Sequence, residues 1–497
     1  MNPMEELKKE FSEITRLNHI RALLGWDQQV NLPEGSFGGR ADQNALMSKI
    51  VHERLISAKI GNSIREAEKL TNLDLIDAAT LREAKRSYEQ EVKLPTELVE
   101  EISKTASLGY VKWVEARKKD DFSIFQPLLE KMIGLQIQVA EKLDTHPDPY
   151  STLIDLFEPG ANFDWISKIF SKSKQNLNKI IKKLNLSEDK PDFSIITQKW
   201  EVNKQWDFSI DVIKGLNFDL KKGRQDKSAH PFTTSLSSTD TRFTTRINEN
   251  FFSTCLFGSI HECGHALYEM GFREEIHDNI LADGCSMGIH ESQSRMWENM
   301  VGRSKEFWIF WFPQLEKRFP SNFKGITMED FYRSINTVQP TLIRVEADEV
   351  TYGMHIILRF ELERDIIEGN VKVNELPEVW NSKMEDLLGI TPPNNADGVL
   401  QDVHWSGGAF GYFPTYFLGN LYGAQFYKKV LKEHPSLPEE YEKGNFSNLL
   451  TFLRENIHQY GKIYQAKDLI KKVTGEDLNP DYFIEYLEKK FYPIYRV

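Results

Sequence analysis

Cysteine is scarce in this 497-residue chain: Cys255, Cys263 and Cys285 are the only three. Three is too few, and too odd, for a disulfide framework, which fits a reducing compartment. No C-x-x-C pair exists, and Cys263 stands between two better metal ligands, so a thiolate site is the weaker reading. Long apolar runs are also missing, and with them any segment able to span a bilayer. The start, Met1 to Ile14, mixes Lys8 and Lys9 with Glu5, Glu6, Glu10 and Glu13. It therefore lacks the basic lead and apolar stretch of an export signal, and the expected compartment is the cytoplasm, with no membrane partner. No basic run with interleaved aromatics occurs, the formal net charge is -12 and the sequence pI is about 5.6. Nucleic acid is not an expected partner.

What the chain does have is helical texture. From Met1 to about Asp189 apolar residues recur at three and four, as in Leu81, Ala84, Tyr88 and Val92. Pro33, Pro95, Pro127 and Pro147 fall where helices would start or stop, because proline lacks the amide proton and disfavours helix before it. The texture changes at Ser228 to Ile247, SAHPFTTSLSSTDTRFTTRI, where Thr, Ser and Phe predict two short strands and a turn. Helical texture then resumes, with a loop-like interval at Gly389 to Gly398. The expected organisation is a single domain over residues 1–497, with a helical N-terminal lobe to about residue 227 and a catalytic part from about 228.

The chemistry concentrates in His261-Glu262-Cys263-Gly264-His265. On a helix, residues four apart share a face, so two imidazoles can grip one ion while Glu262, rotated by about a hundred degrees, addresses a water on it. Phe252, Leu256, Ile260, Leu267 and Met270 support a buried helix, and Gly271 is a plausible stop. A catalytic zinc needs a third protein ligand and an open position. The metzincin pattern would place Gly at 268 and His at 271, where this chain has Tyr268 and Gly271, so that class is excluded. Met287 to Arg303 reads as a second helix with Glu291 near its start, and a glutamate from a neighbouring helix is the gluzincin solution. On spacing alone His277, Asp283, His290 and Glu298 rival Glu291.

Further strings stand around this core. His230-Pro231-Phe232, Asp240-Thr241-Arg242-Phe243-Thr244, His290-Glu291-Ser292-Gln293, Ile343-Arg344-Val345-Glu346-Ala347-Asp348 and Gly398 to Trp405 follow in order, and Leu23 to Gly35 reads LLGWDQQVNLPEG. With His261 to His265 these resemble the HPF, DXRXT, HEXXH, HESQ, IRXXAD and GXXQDXHW signatures of the thermostable carboxypeptidases, the carboxypeptidase Taq family. The resemblance implies a mainly α fold, saddle-like with a deep central groove and one small β-hairpin near the active site. It implies a homodimer, and zinc or cobalt held by His261, His265 and Glu291, with Glu262 as catalytic base. Peptide substrates would lose single C-terminal residues.

An exopeptidase has to recognise the chain end, and a planar guanidinium fits a carboxylate with two parallel bonds. Arg344 is the first candidate and Arg242 the second. The competing expectation is that Arg344 merely pairs with Glu346, Asp348 or Glu349 nearby. His404 is a candidate donor to the oxyanion or to the substrate carboxylate, with Tyr412 and Tyr416 ranked behind it. Asp240, Thr244, Gln401 and Asp402 read as residues that hold those donors in place. Two other functions use the same motif. One is an oligopeptidase or dipeptidyl carboxypeptidase of the same clan; the other is a non-catalytic peptide-binding scaffold with a structural metal.

Overall fold

In the computed structural model, which describes residues 2–497, the chain is a succession of helices interrupted by one three-stranded sheet. Two of the expected prolines mark helix starts: Pro95 caps the helix Thr96–Lys119, and Pro127 sits in the first turn of Gln126–Leu143, where its missing N–H costs nothing. No helix among the described residues is long and apolar enough to cross a membrane. The fold packs as two compact units, each gathered from three stretches of chain. The first comprises 1–91, 191–335 and 422–478; the second comprises 92–190, 336–421 and 479–497. Both take chain from either side of residue 227, so the lobe boundary expected there does not coincide with a boundary between units.

In the first unit the sheet runs β1 (Gly223–Lys227), β2 (Thr233–Ser237) and β3 (Asp240–Thr245), in the order β1-β3-β2. β2 and β3 form the expected antiparallel hairpin, with an irregularity in register between Ser235 and Ser237. β1 is an addition to it, parallel to β3 with Gln225 opposite Phe243. Its sequence GRQDK has no β-branched residue and no alternation, so nothing local announces it. Its pairing is supplied by β3, which would otherwise leave an open edge.

Two helices of the same unit carry the central motif. The first, Phe252–Glu269, is buried on nearly every face, the condition for a helix that runs through a core. Phe252 anchors its start in an aromatic cluster, with Trp200 and Phe331 ring centroids at 4.8 and 5.6 Å. The second, Met287–Arg295, begins at Ser286, whose Oγ accepts from the Ile289 N–H at 3.0 Å. The sequence pattern suggests one helix to Arg303, but after Arg295 the chain widens into a π-helix over Met296–Val301. The two helices cross closely because of Gly264. A Cβ there would lie 2.7 Å from Ser294 Cα and 3.0 Å from the Gln293 carbonyl oxygen.

The second unit is organised by the aromatic residues Tyr150, Phe163, Phe170, Phe360 and Phe417. It also buries a carboxylate completely. Glu363 accepts from Trp405 Nε1 at 2.7 Å on one oxygen, and from the Gly411 N–H and Tyr150 hydroxyl, both at 2.9 Å, on the other. Burial pushes this carboxyl up to about 7 against those three donors.

Two expectations follow for stability. Gly264→Ala meets backbone rather than a yielding side chain, so it should destabilise by roughly 1–3 kcal/mol and weaken metal binding together; a variant that melts and binds metal as wild type does would refute the close-crossing argument. Glu363 holds its proton more tightly folded than unfolded, so its contribution is full below its ordinary pKa and is lost as pH rises through 7. Glu363→Gln sets an amide NH2 against an obligate donor, so it should be less stable than wild type. Its deficit in denaturant unfolding should shrink by about 2–3 kcal/mol between pH 5 and pH 8, whereas an equal deficit at both pH values would contradict the shift.

Candidate metal centre

His261 and His265 lie one helical turn apart on Phe252–Glu269, and Glu291 stands on the neighbouring helix. One ligand atom from each falls within 4.8 Å of the others. Glu291 Oε2 is 3.7 Å from His261 Nε2 and 3.6 Å from His265 Nε2, so both Nε2 atoms and one carboxylate oxygen face a common point. These separations suit a cation bound at about 2.0–2.2 Å from each donor.

The outer atoms of the three side chains are already engaged. His261 Nδ1 bonds Glu298 Oε2 at 2.9 Å, and the second Glu291 oxygen accepts from Arg295 Nε at 2.7 Å. His265 Nδ1 faces His290 Nδ1 at 2.6 Å, and His290 Nε2 bonds Glu269 Oε1 at 3.0 Å. Each imidazole thus has its Nδ1 held and its Nε2 free, the arrangement by which outer partners orient metal-binding histidines. Burial and His290 lower His265 to about 3, so its ring is neutral, as a ligand must be. Burial acts against ionisation of Glu291, yet Arg295, His261 and His265 outweigh it and hold the carboxyl well below its usual range. The donor set, two imidazoles and an ionised carboxylate, fits a divalent cation of the zinc type; Glu291 and Glu298 raise His261 above its ordinary value against burial, and a bound cation would displace that proton.

The rival residues have other occupations. Glu298 stands behind His261 and is reached by Arg295 and Arg303. His290 stands behind His265, His277 bonds the Phe272 carbonyl at 3.0 Å, and Asp283 pairs with Lys462 at 2.6 Å. Burial pushes the Cys263 thiol up, away from the thiolate a metal would need.

Glu262 is 8% exposed and rotated from the two histidines. Burial raises its carboxyl above the ordinary value, with His261 and a hydrogen bond from Thr233 opposing. Thr233 Oγ1 on β2 is 2.7 Å from Glu262 Oε2. Neither Thr233 nor the Glu269 behind His290 is singled out by sequence reasoning; the available signal was the seven-residue spacing of Glu262 and Glu269, two turns on one helix face.

Around the sheet, Arg242 is gripped by Asp240 through Nε at 2.9 Å and Nη2 at 2.7 Å, and its guanidinium lies 4.4 Å from the Trp26 ring centroid. Thr244 Oγ1 bonds Ser228 Oγ at 2.6 Å and accepts from the Phe232 N–H at 3.1 Å, which fastens the His230-Pro231-Phe232 turn to β3.

The remaining site candidates belong to the second unit. Arg344 is 5% exposed and pairs with none of Glu346, Asp348 or Glu349. Its Nε and Nη2 donate to Asp402 Oδ1 at 3.1 and 2.8 Å, and Nη1 donates to the Tyr352 hydroxyl at 3.3 Å. The other Asp402 oxygen accepts from Arg359 Nε at 2.6 Å, and Arg359 Nη2 donates to Gln401 Oε1 at 2.9 Å. Gln401 Oε1 also accepts from the Arg344 N–H at 2.9 Å. Arg359 is fully buried and no sequence pattern pointed to it. His404 Nε2 is 3.4 Å from the Tyr416 hydroxyl, and the His404 and Tyr412 rings lie 5.6 Å apart.

With this geometry in hand, the likeness to known proteins is specific. Residues 6–491 match the family of carboxypeptidase Taq (M32) metallopeptidases. Carboxypeptidase 1 of Bacillus subtilis is 39% identical over 492 residues, 98% of each chain, and thermostable carboxypeptidase 1 of Thermus thermophilus is 39% identical over 495 residues, 97% of each. The crystal structure of the M32 carboxypeptidase from Deinococcus radiodurans superposes with a TM-score of 0.97 at 35% identity, covering all of both chains.

Two measurements test the centre. Replacing His261, His265 or Glu291 by Ala should abolish stoichiometric binding of zinc in equilibrium dialysis. Glu298→Gln, which keeps the shape but removes the charge behind His261, should weaken zinc by roughly 10- to 100-fold; wild-type affinity in that variant would mean that Glu298 does not support the ligand.

Proposed function

Because this chain belongs to the carboxypeptidase Taq (M32) metallopeptidase family, we propose that it uses zinc to remove single residues from peptide C-termini with broad tolerance of side chain, Glu262 acting as general base. The observation that carries this reading is the convergence of His261 Nε2, His265 Nε2 and Glu291 Oε2, with Glu262 on the same helix. Zinc or cobalt held by these three residues would supply a Lewis acid that polarises the scissile carbonyl and acidifies a water.

The chain's own groups do the rest. Glu262 accepts a proton from the attacking water at a carboxylate oxygen and delivers it to the amine that leaves. Arg344 receives the C-terminal carboxylate. Asp402 and Tyr352 occupy three of its five N–H groups, and the remaining two are the donors assigned to the substrate. One Asp402 carboxylate between two buried guanidiniums leaves a net positive charge, which a substrate carboxylate would neutralise. His404, Tyr412 and Tyr416 offer neutral donors, while Asp240 positions Arg242, a second substrate contact. Gln401 and Asp402 position Arg344, and Thr244 holds the turn before β2.

Broad tolerance is supported by β2, an edge strand to which a peptide can add through its backbone while its side chains vary. The family match over residues 6–491 supports reading the chain as one catalytic domain. The proposal includes a cytoplasmic homodimer, and three buried cysteines outside any disulfide are compatible with a reducing compartment.

Mass spectrometry of a peptide set with varied C-terminal residues tests these points. The zinc-loaded enzyme should give a ladder of single C-terminal losses from free acids and none from amidated twins, and Glu262→Gln should bind zinc yet give no ladder. Arg344→Ala leaves Asp402 paired with Arg359, so it should fold while losing about 100-fold in kcat/KM on free acids. Internal cuts in both peptide forms would instead indicate an oligopeptidase, and no cleavage by any metal-loaded form would indicate a binding protein.

A further inference from the structure

Strand β2 meets the first motif helix at two points. Thr233 and Ser235 are two apart on the strand and share a face; Glu262 and Glu269 are seven apart on the helix and share a face. Thr233 Oγ1 lies 2.7 Å from Glu262 Oε2 and 2.9 Å from the Glu262 carbonyl oxygen. Its single hydrogen goes to the stronger acceptor, the carboxylate. Ser235 Oγ donates to Glu269 Oε2 and is 2.8 Å from Thr241 Oγ1 on β3.

From Glu269 the bonds continue inward, Oε1 to His290 Nε2 at 3.0 Å and His290 Nδ1 to His265 Nδ1 at 2.6 Å. Two facing ring nitrogens bond only if one carries a proton and the other does not. With a cation on His265 Nε2, its Nδ1 would carry the proton and a neutral His290 would accept it at Nδ1. His290 then has its proton on Nε2, which donates to Glu269. In that state every group in the chain from Ser235 to His265 would have its direction fixed by the next.

We propose that β2 is a positioning strand with two separate outputs: Thr233 orients the Glu262 carboxylate, and Ser235, through Glu269 and His290, fixes the tautomer and ring orientation of His265. This rests on the reading of Glu262 as general base and His265 as ligand. The two outputs fail in different ways, which makes the strand's role separable from that of a mere structural element.

Thr233→Val keeps the branched shape and removes the hydroxyl, whereas Thr233→Ser keeps the hydroxyl. Thr233→Val should lose about 10- to 100-fold in kcat with KM and zinc affinity within about twofold of wild type, and Thr233→Ser should stay within about threefold in kcat. Ser235→Ala and Glu269→Gln should raise the zinc dissociation constant about tenfold in chelator competition, a readout that needs no turnover. Wild-type kcat in Thr233→Val, an equal loss in Thr233→Ser, or wild-type zinc affinity in both Ser235→Ala and Glu269→Gln would overturn the proposal. Glu262→Gln measured alongside separates the two readings: turnover in that variant overturns the general-base assignment itself, while an inactive Glu262→Gln beside an unaffected Thr233→Val overturns only the positioning role.

Discussion

The structure around the metal-binding motif is governed by crowded negative charge, buried at Glu262 and Glu291 and partly so at Glu269 and Glu298. Glu262, Glu269, Glu291 and Glu298 crowd a few turns of two packed helices, and Arg295 and Arg303 are the guanidiniums that reach them. Four carboxylates against two guanidiniums leave a negative excess, and the carboxylates accordingly raise His261 and His290 above their ordinary values against burial. Holding such an excess out of water is costly unless something of opposite sign is bound. A divalent cation closes that balance, and the three inner donors are the atoms not otherwise engaged. The outer hydrogen bonds are therefore part of the same charge arrangement as the ligands.

Charge balance explains why the crossing of the two helices is so tight. A carboxylate has to come within reach of two Nε2 atoms on another helix, and a close approach of the two backbones brings it there. Gly264, placed between the two histidines, removes the Cβ that would hold the second helix away. The π-turn at Met296–Val301 follows at once, and Glu298 on it meets His261 Nδ1 while Glu291 meets Nε2. One imidazole is thus addressed from both sides by a single helical segment. His265 is treated differently, with a histidine interposed before the next carboxylate.

This geometry explains which parts of the site were legible in the sequence. The spacing of His261 and His265 is local, fixed by helical periodicity, and the strands β2 and β3 announce themselves by composition. The proposed third ligand is not local: Glu291, His290 and Glu298 occupy one segment, and only the crossing separates the carboxylate that faces both Nε2 atoms from the residues behind the rings, so spacing left them as rivals and family resemblance was needed. Arg344 illustrates the same limit. Its neighbours in sequence, Glu346 and Asp348, were the obvious partners, yet its charge is met by Asp402, far along the chain. Arg359, wholly buried on the same aspartate, and the charged strand β1 carry no local signature at all.

The cluster in the second unit has the opposite excess, and this decides what His404 can contribute. Burial, with Arg344 and Arg359 adding to it, holds the ring down at about 4 although Asp402 acts the other way. At neutral pH the imidazole is therefore uncharged, able to donate one hydrogen bond but not to deliver a proton from a cationic form. Arg344 has no proton to give, and its pairing with Asp402 raises it further. The tyrosines beside it, Tyr412 and Tyr416, add phenolic O–H donors. Every candidate in this cluster is thus suited to stabilise charge on a substrate rather than to transfer protons. On the proposed reading the proton traffic of peptide hydrolysis falls to Glu262, a carboxylate whose burial raises its affinity for a proton.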